Sequence, residues 1–364
     1  MRIVVIGTRG IPGIMGGVET HVEELYPRMV RLGHEIIVIR RKPYITSENS
    51  VSEWNGVRLV DVFAPKKKSF EAIIHTFMAV LKARKLRPDI LHIHAIGPAL
   101  MTPLARLLGM RVVMTHHGPD YDRLKWGRMA KWILRVGERF GARKANKIIV
   151  ISETIRNIIS QKYKRTDSEL IYNGVNLPVK SPNKDWLDKW NIHKPYILAV
   201  GRFVKEKGFH DLIEAYNQSG LKNDLDLVIA GDADHPDAYS TELKNLGKSS
   251  GVKFTGFIKG EPLNQLMTNA SVFVIPSYHE GLPITLLEAM SFDLDVLASD
   301  IPANRLPELD KNDFFEAGNI ENLARKLVEK LRSPMKRQYD LSAYNWDNIA
   351  AETNKVYQNT LSRQ

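Results

Sequence analysis

The 364-residue chain contains no cysteine, which excludes disulfides, thiolate nucleophiles and thiolate metal sites. Long apolar runs are missing too: none approaches the roughly 20 residues of a bilayer span. No leader precedes the first strand-like run, Met1-Arg-Ile-Val-Val-Ile-Gly7, so no signal peptide is expected and the cytoplasm is the expected compartment. A disordered composition is absent as well, with 43% hydrophobic and 26% charged residues. Acidic residues are scarce in one half only. Residues 1–180 hold 31 Lys and Arg against 15 Asp and Glu, and the remainder holds 21 against 26, within a net charge of +11. Only the first half is therefore expected to face an anionic partner. No recognised nucleic-acid motif accompanies that charge, and nucleic acid is not an expected partner.

What is present is a repeated alternation of short β-branched runs with helical patterns, long enough for two domains. In the first half, Ile3–Ile6 and Glu35–Ile39 read as strands around a glycine-rich turn, Gly7 to Gly17, and a helix from about Val18 to Leu32. Gly7, Gly10 and Gly13 raise a dinucleotide-binding oxidoreductase, and Tyr121 with Lys125 matches a Tyr-x-x-x-Lys pair. Pro12, Gly16 and Gly17 delay the helix, however, and the second strand ends in Arg40-Arg41-Lys42 rather than an acidic residue. Tyr121 lies in a turn-like Gly-Pro-Asp-Tyr-Asp. Glu71–Lys85 is a predicted helix with Ile74, Phe77, Met78 and Leu81 apolar. Strands are expected at Pro88–His94 and Arg111–Gly118, and His117 falls at the C-terminal end of the second, the ligand-facing edge of a parallel sheet. His92 and His94 have a metal-like spacing but no third ligand in sequence, so a structural role is expected.

Leu170–Asn176 ends in an Asn-Gly turn, and Pro178 and Pro182 stiffen the polar stretch after it, giving a linker over 173–183. A second set of strands begins at Tyr196–Val200, with Gly201-Arg202-Phe-Val-Lys205-Glu-Lys207-Gly208 at its ligand edge. Guanidinium and ammonium groups there suit a diphosphate, whose charge grows as a bond to it breaks. Gly231-Asp232-Ala-Asp234 contains an Asp-x-Asp, but with Arg202 and Lys207 available no metal is expected. Strand Ser271–Ile275 leads into Pro276-Ser277-Tyr-His-Glu280-Gly281-Leu282-Pro283-Ile284-Thr285-Leu-Leu-Glu288, a strand-loop-helix unit. Backbone amides around Leu282–Thr285 would meet an anion at the helix N-terminus. Glu280 and Glu288, about two turns apart, are too far apart to share a proton or a metal and read as separate acceptors flanking that anion.

The Glu280-to-Glu288 spacing, with Gly281-Leu-Pro283 and Glu288-Ala-Met290, resembles the signature of family 4 retaining glycosyltransferases. Gly16-Gly17, His117-Gly118 and the Gly201-Arg202…Lys207-Gly208 motif resemble the same family, in order, over nearly the whole chain. The segment 119–127 resembles a subgroup acting in bacterial surface polysaccharide or lipopolysaccharide biosynthesis. The resemblance implies an α/β GT-B fold: two doubly wound Rossmann-like domains facing each other across a cleft. Residues 1–172 would be the acceptor side, 184–341 the nucleotide-sugar side, and 342–364 a terminal helix crossing back to the first domain. By the same resemblance Arg202, Lys207, Ser277, the amides of Gly281, Leu282, Pro283, Ile284 and Thr285, and Gly16-Gly17 cradle the donor. Glu288 takes the ribose, Glu280 positions the sugar, and His117 contacts it. The implied donor is a UDP- or GDP-sugar, with no metal and no cofactor. Front-face and double-displacement routes both remain open, and a non-hydrolysing epimerase of the same fold or a non-catalytic nucleotide-sugar binder are the alternatives. The basic clusters at 40–42, 66–68 and 123–143, interleaved with Trp126, Trp132 and Phe140, suit the inner face of an anionic membrane and a lipid-linked glycan acceptor.

Overall fold

Runs such as Ile3-Val-Val-Ile6 and Ile36-Ile-Val-Ile39 are buried on both faces, the pattern of parallel strands covered by helices. The computed structural model describes residues 1–65, 68–122, 126–233, 236–332 and 335–362. The chain divides into two units, 1–174 with 343–364, and 175–342.

The first unit runs β1 (Arg2–Ile6), α1 (Gly17–Arg31), β2 (Glu35–Arg41), β3 (Glu53–Trp54), β4 (Val57–Val62), α2 (Lys68–Leu86), β5 (Ile90–His94), α3 (Thr102–Leu107), β6 (Val112–His116), α4 (Arg128–Lys144), β7 (Lys147–Val150), α5 (Glu153–Tyr163) and β8 (Glu169–Leu170). Its sheet order is β3-β4-β2-β1-β5-β6-β7-β8, and the neighbours pair in parallel except β3 with β4. The chain starts in the middle of this sheet and builds first one way and then the other. The crevice between the C-terminal ends of β1 and β5 is thus the switch point, where open α/β sheets take ligands.

The second unit contains α6 (Asp185–Lys189), β9 (Tyr196–Val200), α7 (Phe209–Gln218), β10 (Asp226–Ala230), α8 (Ala238–Ser250), β11 (Lys253–Gly256), α9 (Glu261–Asn269), β12 (Val272–Ile275), α10 (Ile284–Ser291), β13 (Val296–Ser299), β14 (Phe314–Phe315) and α11 (Ile320–Arg332). The order β11-β10-β9-β12-β13-β14 is parallel throughout and puts its switch point between β9 and β12.

The terminal α12 (Trp346–Ser362) packs into the core of the first unit, with Trp346, Ile349, Ala350, Val356 and Tyr357 against Val22, Leu25, Tyr26 and Met29. Gly174 lies against the Trp346 ring, where a Cβ would come within 2.4 Å of it.

Three expectations change in the folded protein. Ile74, Phe77, Met78 and Leu81 are exposed on α2, while His75, Thr76, Ala79, Val80 and Ala83 face inward. Small residues let this helix lie close to the sheet and leave its large apolar side chains outside. Arg40 is not a surface cation: it is 1% exposed, pairs with Asp61 at 2.7 Å, and donates to the carbonyls of Ile11, Asn49 and Val51. A buried guanidinium survives only with such acceptors around it. Arg41 pairs with Glu71 at 3.0 Å and is likewise committed internally. Lys66, Lys67, Arg123, Lys125 and Asp234 lie outside the described residues.

Candidate active site

In the second unit, the loops after β9 and β12 meet at the switch point. Gly208 is the reason they can. It adopts φ +65°, and a Cβ there would sit 2.1 Å from the carbonyl oxygen of Pro276. Gly231, at the end of β10, is as tightly placed, with a hypothetical Cβ 1.8 Å from the carbonyl oxygen of Gly201. No other residue fits such approaches without moving backbone.

This closeness brings the sequence-derived candidates together. Lys207 Nζ lies 2.6 Å from Glu280 Oε1, and Ser277 Oγ donates to the same oxygen at 2.6 Å. Lys207 is therefore ion-paired to Glu280 and has two further N–H donors to offer. Ser277 is itself fixed from behind, since Ser299 Oγ donates to its carbonyl oxygen at 2.5 Å. Tyr278 donates its backbone N–H to Glu206 at 2.9 Å and its hydroxyl to Asp211, tying the loop to α7. Pro283 is the N-cap of α10, and Ile284 is its first residue. Thr285 Oγ1, in the first turn, is buried with no hydrogen-bond partner. An orphaned hydroxyl beside amides at a helix N-terminus is a place for an acceptor-rich anion. Arg202 is half-buried in the β9 loop, and Glu288 is half-buried one turn into α10 beyond Thr285. Asp232, the described half of the Asp-x-Asp, accepts from Lys244 at 2.8 Å and from the Ala233 amide at 2.8 Å.

In the first unit the switch-point crevice is lined by histidines. His94 ends β5 and His117 comes directly after β6. Gly7, after β1, passes so close that a Cβ would sit 2.1 Å from the His94 carbonyl oxygen. His94 Nδ1 and His117 Nε2 are 2.8 Å apart, with their rings stacked at 28°. His21 of α1 stands edge-on to His117 at 5.0 Å and bonds Asn173 Oδ1 through Nδ1 at 3.0 Å. So a third imidazole does join the pair, from a helix far back in the chain. Ligand nitrogens of His21, His94 and His117 fall within 4.8 Å of one another. Two of those nitrogens already face each other across a single shared proton, so the arrangement reads as a hydrogen-bonded cluster and not as a metal centre.

Burial keeps this cluster neutral. It lowers His21 to about 4 and His92 to about 3. It also holds His94 and His117 well below the ordinary histidine value, helped by the imidazoles around them.

Two carboxylates that local sequence reading missed stand in the first unit. Glu19, in the first turn of α1, is 6% exposed and accepts from Thr8 Oγ1 at 3.2 Å and from the Arg9 amide at 3.0 Å. A Cβ on Gly16 would meet this carboxylate at 2.0 Å, which accounts for the glycine at the N-cap of α1. Gly17 beside it has open space around it. Glu138 of α4 is fully buried and holds His116 Nε2 at 3.1 Å, Tyr121 at 3.0 Å, and Lys162 and Tyr163 at 2.5 Å each. Burial alone pushes its carboxyl upward, but the hydrogen bonds from His116, Lys162 and Tyr163 outweigh it and bring it down to about 2. His116 Nδ1 in turn accepts the Gly118 amide at 3.1 Å, fixing the His117-Gly118 turn.

Two Rossmann-like α/β domains with parallel sheets, each with its polar motifs at the C-terminal ends of its strands, are the architecture of GT-B glycosyltransferases. Residues 15–178 match the family described as Glycosyltransferase Family 4, and residues 183–347 match Glycosyl transferases group 1. The chain is thus a glycosyltransferase with a family 4 domain followed by a group 1 domain. It is 27% identical to an uncharacterised glycosyltransferase of Methanocaldococcus jannaschii, over 98% of each chain. Sucrose-phosphate synthase from Thermosynechococcus elongatus superposes with a TM-score of 0.85 at 20% identity, over 100% of both chains. Anabaena HepE in complex with UDP-glucose gives 0.76 at 18% identity, over 100% of this chain and 99% of that one.

Proposed function

We propose that this glycosyltransferase is retaining and metal-independent, and that it moves a hexose from a UDP- or GDP-sugar to a lipid-linked glycan in surface polysaccharide or lipopolysaccharide assembly. The observation that carries the reading is the meeting of Lys207, Glu280 and Ser277 beside the α10 N-terminus and its orphaned Thr285 hydroxyl. A nucleoside diphosphate would supply acceptor atoms for the Thr285 hydroxyl and for the two further N–H groups of Lys207. Its charge rises as the glycosidic bond breaks, so Arg202, Lys207 and the α10 amides act chiefly on the transition state. Lys207 would bridge Glu280 and the diphosphate, setting the sugar that Glu280 holds against its leaving group. Glu288 would take the ribose hydroxyls, and Gly16-Gly17 would let backbone approach the donor or acceptor.

Retention by front-face substitution fits this arrangement. As the anomeric carbon parts from the diphosphate, the acceptor oxygen bonds the same face. A leaving phosphate oxygen takes the acceptor's proton. Glu280, already held by Lys207 and Ser277, is an acceptor for sugar hydroxyls and a poor nucleophile. That HepE is known in complex with UDP-glucose supports a nucleotide-sugar donor of this kind. Metal independence is supported by the engagement of Asp232 with Lys244 and Ala233, while two cations stand at the phosphate loop.

The membrane-facing part rests on α4. Arg128, Arg135, Arg139 and Arg143 are exposed along one face together with Trp132, 64% exposed, and Met129 stands beside them at 77%. The exposed apolar side chains of α2 add to that character in the same unit. No described helix is long and apolar enough to cross a membrane. A screen of nucleotide sugars against the purified protein, read as donor hydrolysis in excess EDTA, tests the chemistry. One UDP- or GDP-hexose should be consumed. Consumption that appears only with added Mn²⁺ would reject the metal-free reading.

A further inference from the structure

Behind His117 runs a line of buried hydrogen bonds that the transfer chemistry does not itself require. Thr115 Oγ1 lies 2.7 Å from His92 Nε2. His92 Nδ1 lies 2.6 Å from the Tyr357 hydroxyl and 2.9 Å from that of Tyr26. The Tyr26 hydroxyl reaches His94 Nε2 at 2.7 Å, and His94 Nδ1 reaches His117 Nε2 at 2.8 Å. His92, His94, Tyr26 and Tyr357 are all fully buried.

The direction of each bond is set by chemistry. Each phenol has one proton to give, and a neutral imidazole nitrogen is a better acceptor than a phenol oxygen. Burial raises both tyrosines, so each stays an O–H donor. Along the shortest contacts, Tyr357 then donates to His92 Nδ1, and His92 Nε2–H donates to Thr115. Tyr26 donates to His94 Nε2, which leaves the His94 proton on Nδ1, aimed at His117 Nε2. Each of these four links then has one donor and one acceptor, and the longer 2.9 Å contact between the Tyr26 hydroxyl and His92 Nδ1 carries no proton.

We propose that His94 is a positioning residue for His117: fed by Tyr26, it donates from Nδ1 to His117 Nε2 and fixes His117 as the neutral tautomer protonated on Nδ1. This rests on the reading of His117 as the residue of the first unit that contacts the transferred sugar. Among the described residues, the rings against His117 are His21 from α1 and His94 from β5, the imidazoles of His92 and His116 lie near enough to act on it, and none of these is a carboxylate that would favour an imidazolium. A ring so held offers a hydrogen bond without adding a positive charge beside a sugar that itself becomes positive in the transition state.

The test uses the full chain labelled with ¹⁵N-histidine and needs no substrate for its first arm. Ring ¹H–¹⁵N correlation at pH 7.5, with His117 assigned through the signal lost in His117→Gln, should show an unprotonated Nε2 and a protonated Nδ1. Tyr26→Phe removes one hydroxyl and should turn His117 into a mixture of tautomers. It should also lower kcat about tenfold with the donor KM within about twofold, the scale for a reacting group left poorly oriented. His94→Asn keeps an N–H at the Nδ1 position and should hold kcat within about threefold, whereas His94→Leu should lose about a hundredfold. A protonated Nε2 or an imidazolium at His117 in the wild type would overturn the proposal. So would unchanged spectrum and kcat in Tyr26→Phe, a variant that keeps the packing even if His94→Leu fails to fold. Failure of every donor in the screen would instead reject the transfer reaction, with the spectrum still deciding the tautomer.

Discussion

Lys207 and Glu280 stand 73 positions apart in the chain and 2.6 Å apart at their charged atoms. Their separate motifs were legible because each occupies a local turn after a strand, where residue type and spacing speak for themselves. Their pairing was not, since nothing local reports which loops meet. The same limit hid Glu19, His21, His94 and Glu138 as site residues, each of which acts through partners 10 or more positions away. It also made Arg40 read as a surface cation, because Arg40-Arg41-Lys42 looks basic until Asp61 and three carbonyls are folded around it. At this scale Lys207→Ala should remove about 2–4 kcal/mol from kcat/KM, the scale for losing a preorganised charge-stabilising group. Arg202→Ala should do the same. Glu280→Gln keeps a carbonyl acceptor for Lys207 and Ser277, so it should fold normally and lose turnover more than nucleotide affinity. Glu288→Gln should weaken nucleotide binding directly. Isothermal titration with the nucleoside diphosphate, set beside initial rates, separates these effects, and the reverse pattern would exchange the two glutamates.

The strands were the most legible elements, since buried Ile and Val runs bounded by glycine and polar residues have few alternative readings. Helices were less so. Glu153–Tyr163 carries little in sequence beyond its N-cap, Ser152, whose side chain accepts from the Ile155 amide. Ile320–Arg332 buries only one narrow face, with Leu323, Ala324 and Leu327 on it. In α2 the apolar spacing was real but pointed outward, because Ala79 and Ala83 won the inner face by size. Two elements carry predictions. In the β9 loop, Gly208→Ala meets both a positive φ and the Pro276 carbonyl, and should cost about 2 kcal/mol or more in urea unfolding and displace Lys207 from its site. In the first unit, His21 of α1 and His75 of α2 are lowered to about 4 and His92 of β5 to about 3, burial coming first in each case. Because these bases stay neutral when folded, the unfolded chain takes up protons first, near pH 6.5. Their stabilising effect is therefore intact above that pH and declines as pH falls toward 4. At pH 5.5 the loss is about 1.4 kcal/mol per histidine, or about 4 kcal/mol for the three. Hydrogen exchange at β5 and β6 should then quicken by roughly a thousandfold beyond the intrinsic pH effect. The second unit's β9 and β10 contain no histidine and should change far less.

Across the whole molecule the charge is divided: the first 180 residues hold more than twice as many basic as acidic side chains, and the rest are mildly acidic. Part of that excess is spent internally, as Arg40 and Arg41 demonstrate. On α4, by contrast, Arg128, Arg139 and Arg143 are exposed, while Arg135 lies over the Tyr121 ring. Arg128 and Arg139 are exposed on the same helix as Trp132 and Met129, a combination that favours an anionic lipid surface with a few apolar side chains dipping into it. Each arginine near such a surface contributes about 1 kcal/mol at low screening. Replacing Arg128 and Arg139 with glutamine should therefore lower the partition coefficient onto anionic liposomes roughly thirtyfold. Trp132→Ala with Met129→Ala should weaken binding as well, and this loss should persist at high salt, where the arginine contribution has been screened away. Donor hydrolysis without acceptor should stay within about twofold of wild type in both double variants, since none of these residues belongs to the phosphate loop. Sedimentation with liposomes of graded anionic content, repeated at rising ionic strength, measures all of this. Equal recovery in the supernatant with anionic and neutral liposomes at low salt would remove the membrane, and a soluble sugar or sugar phosphate would become the acceptor to try.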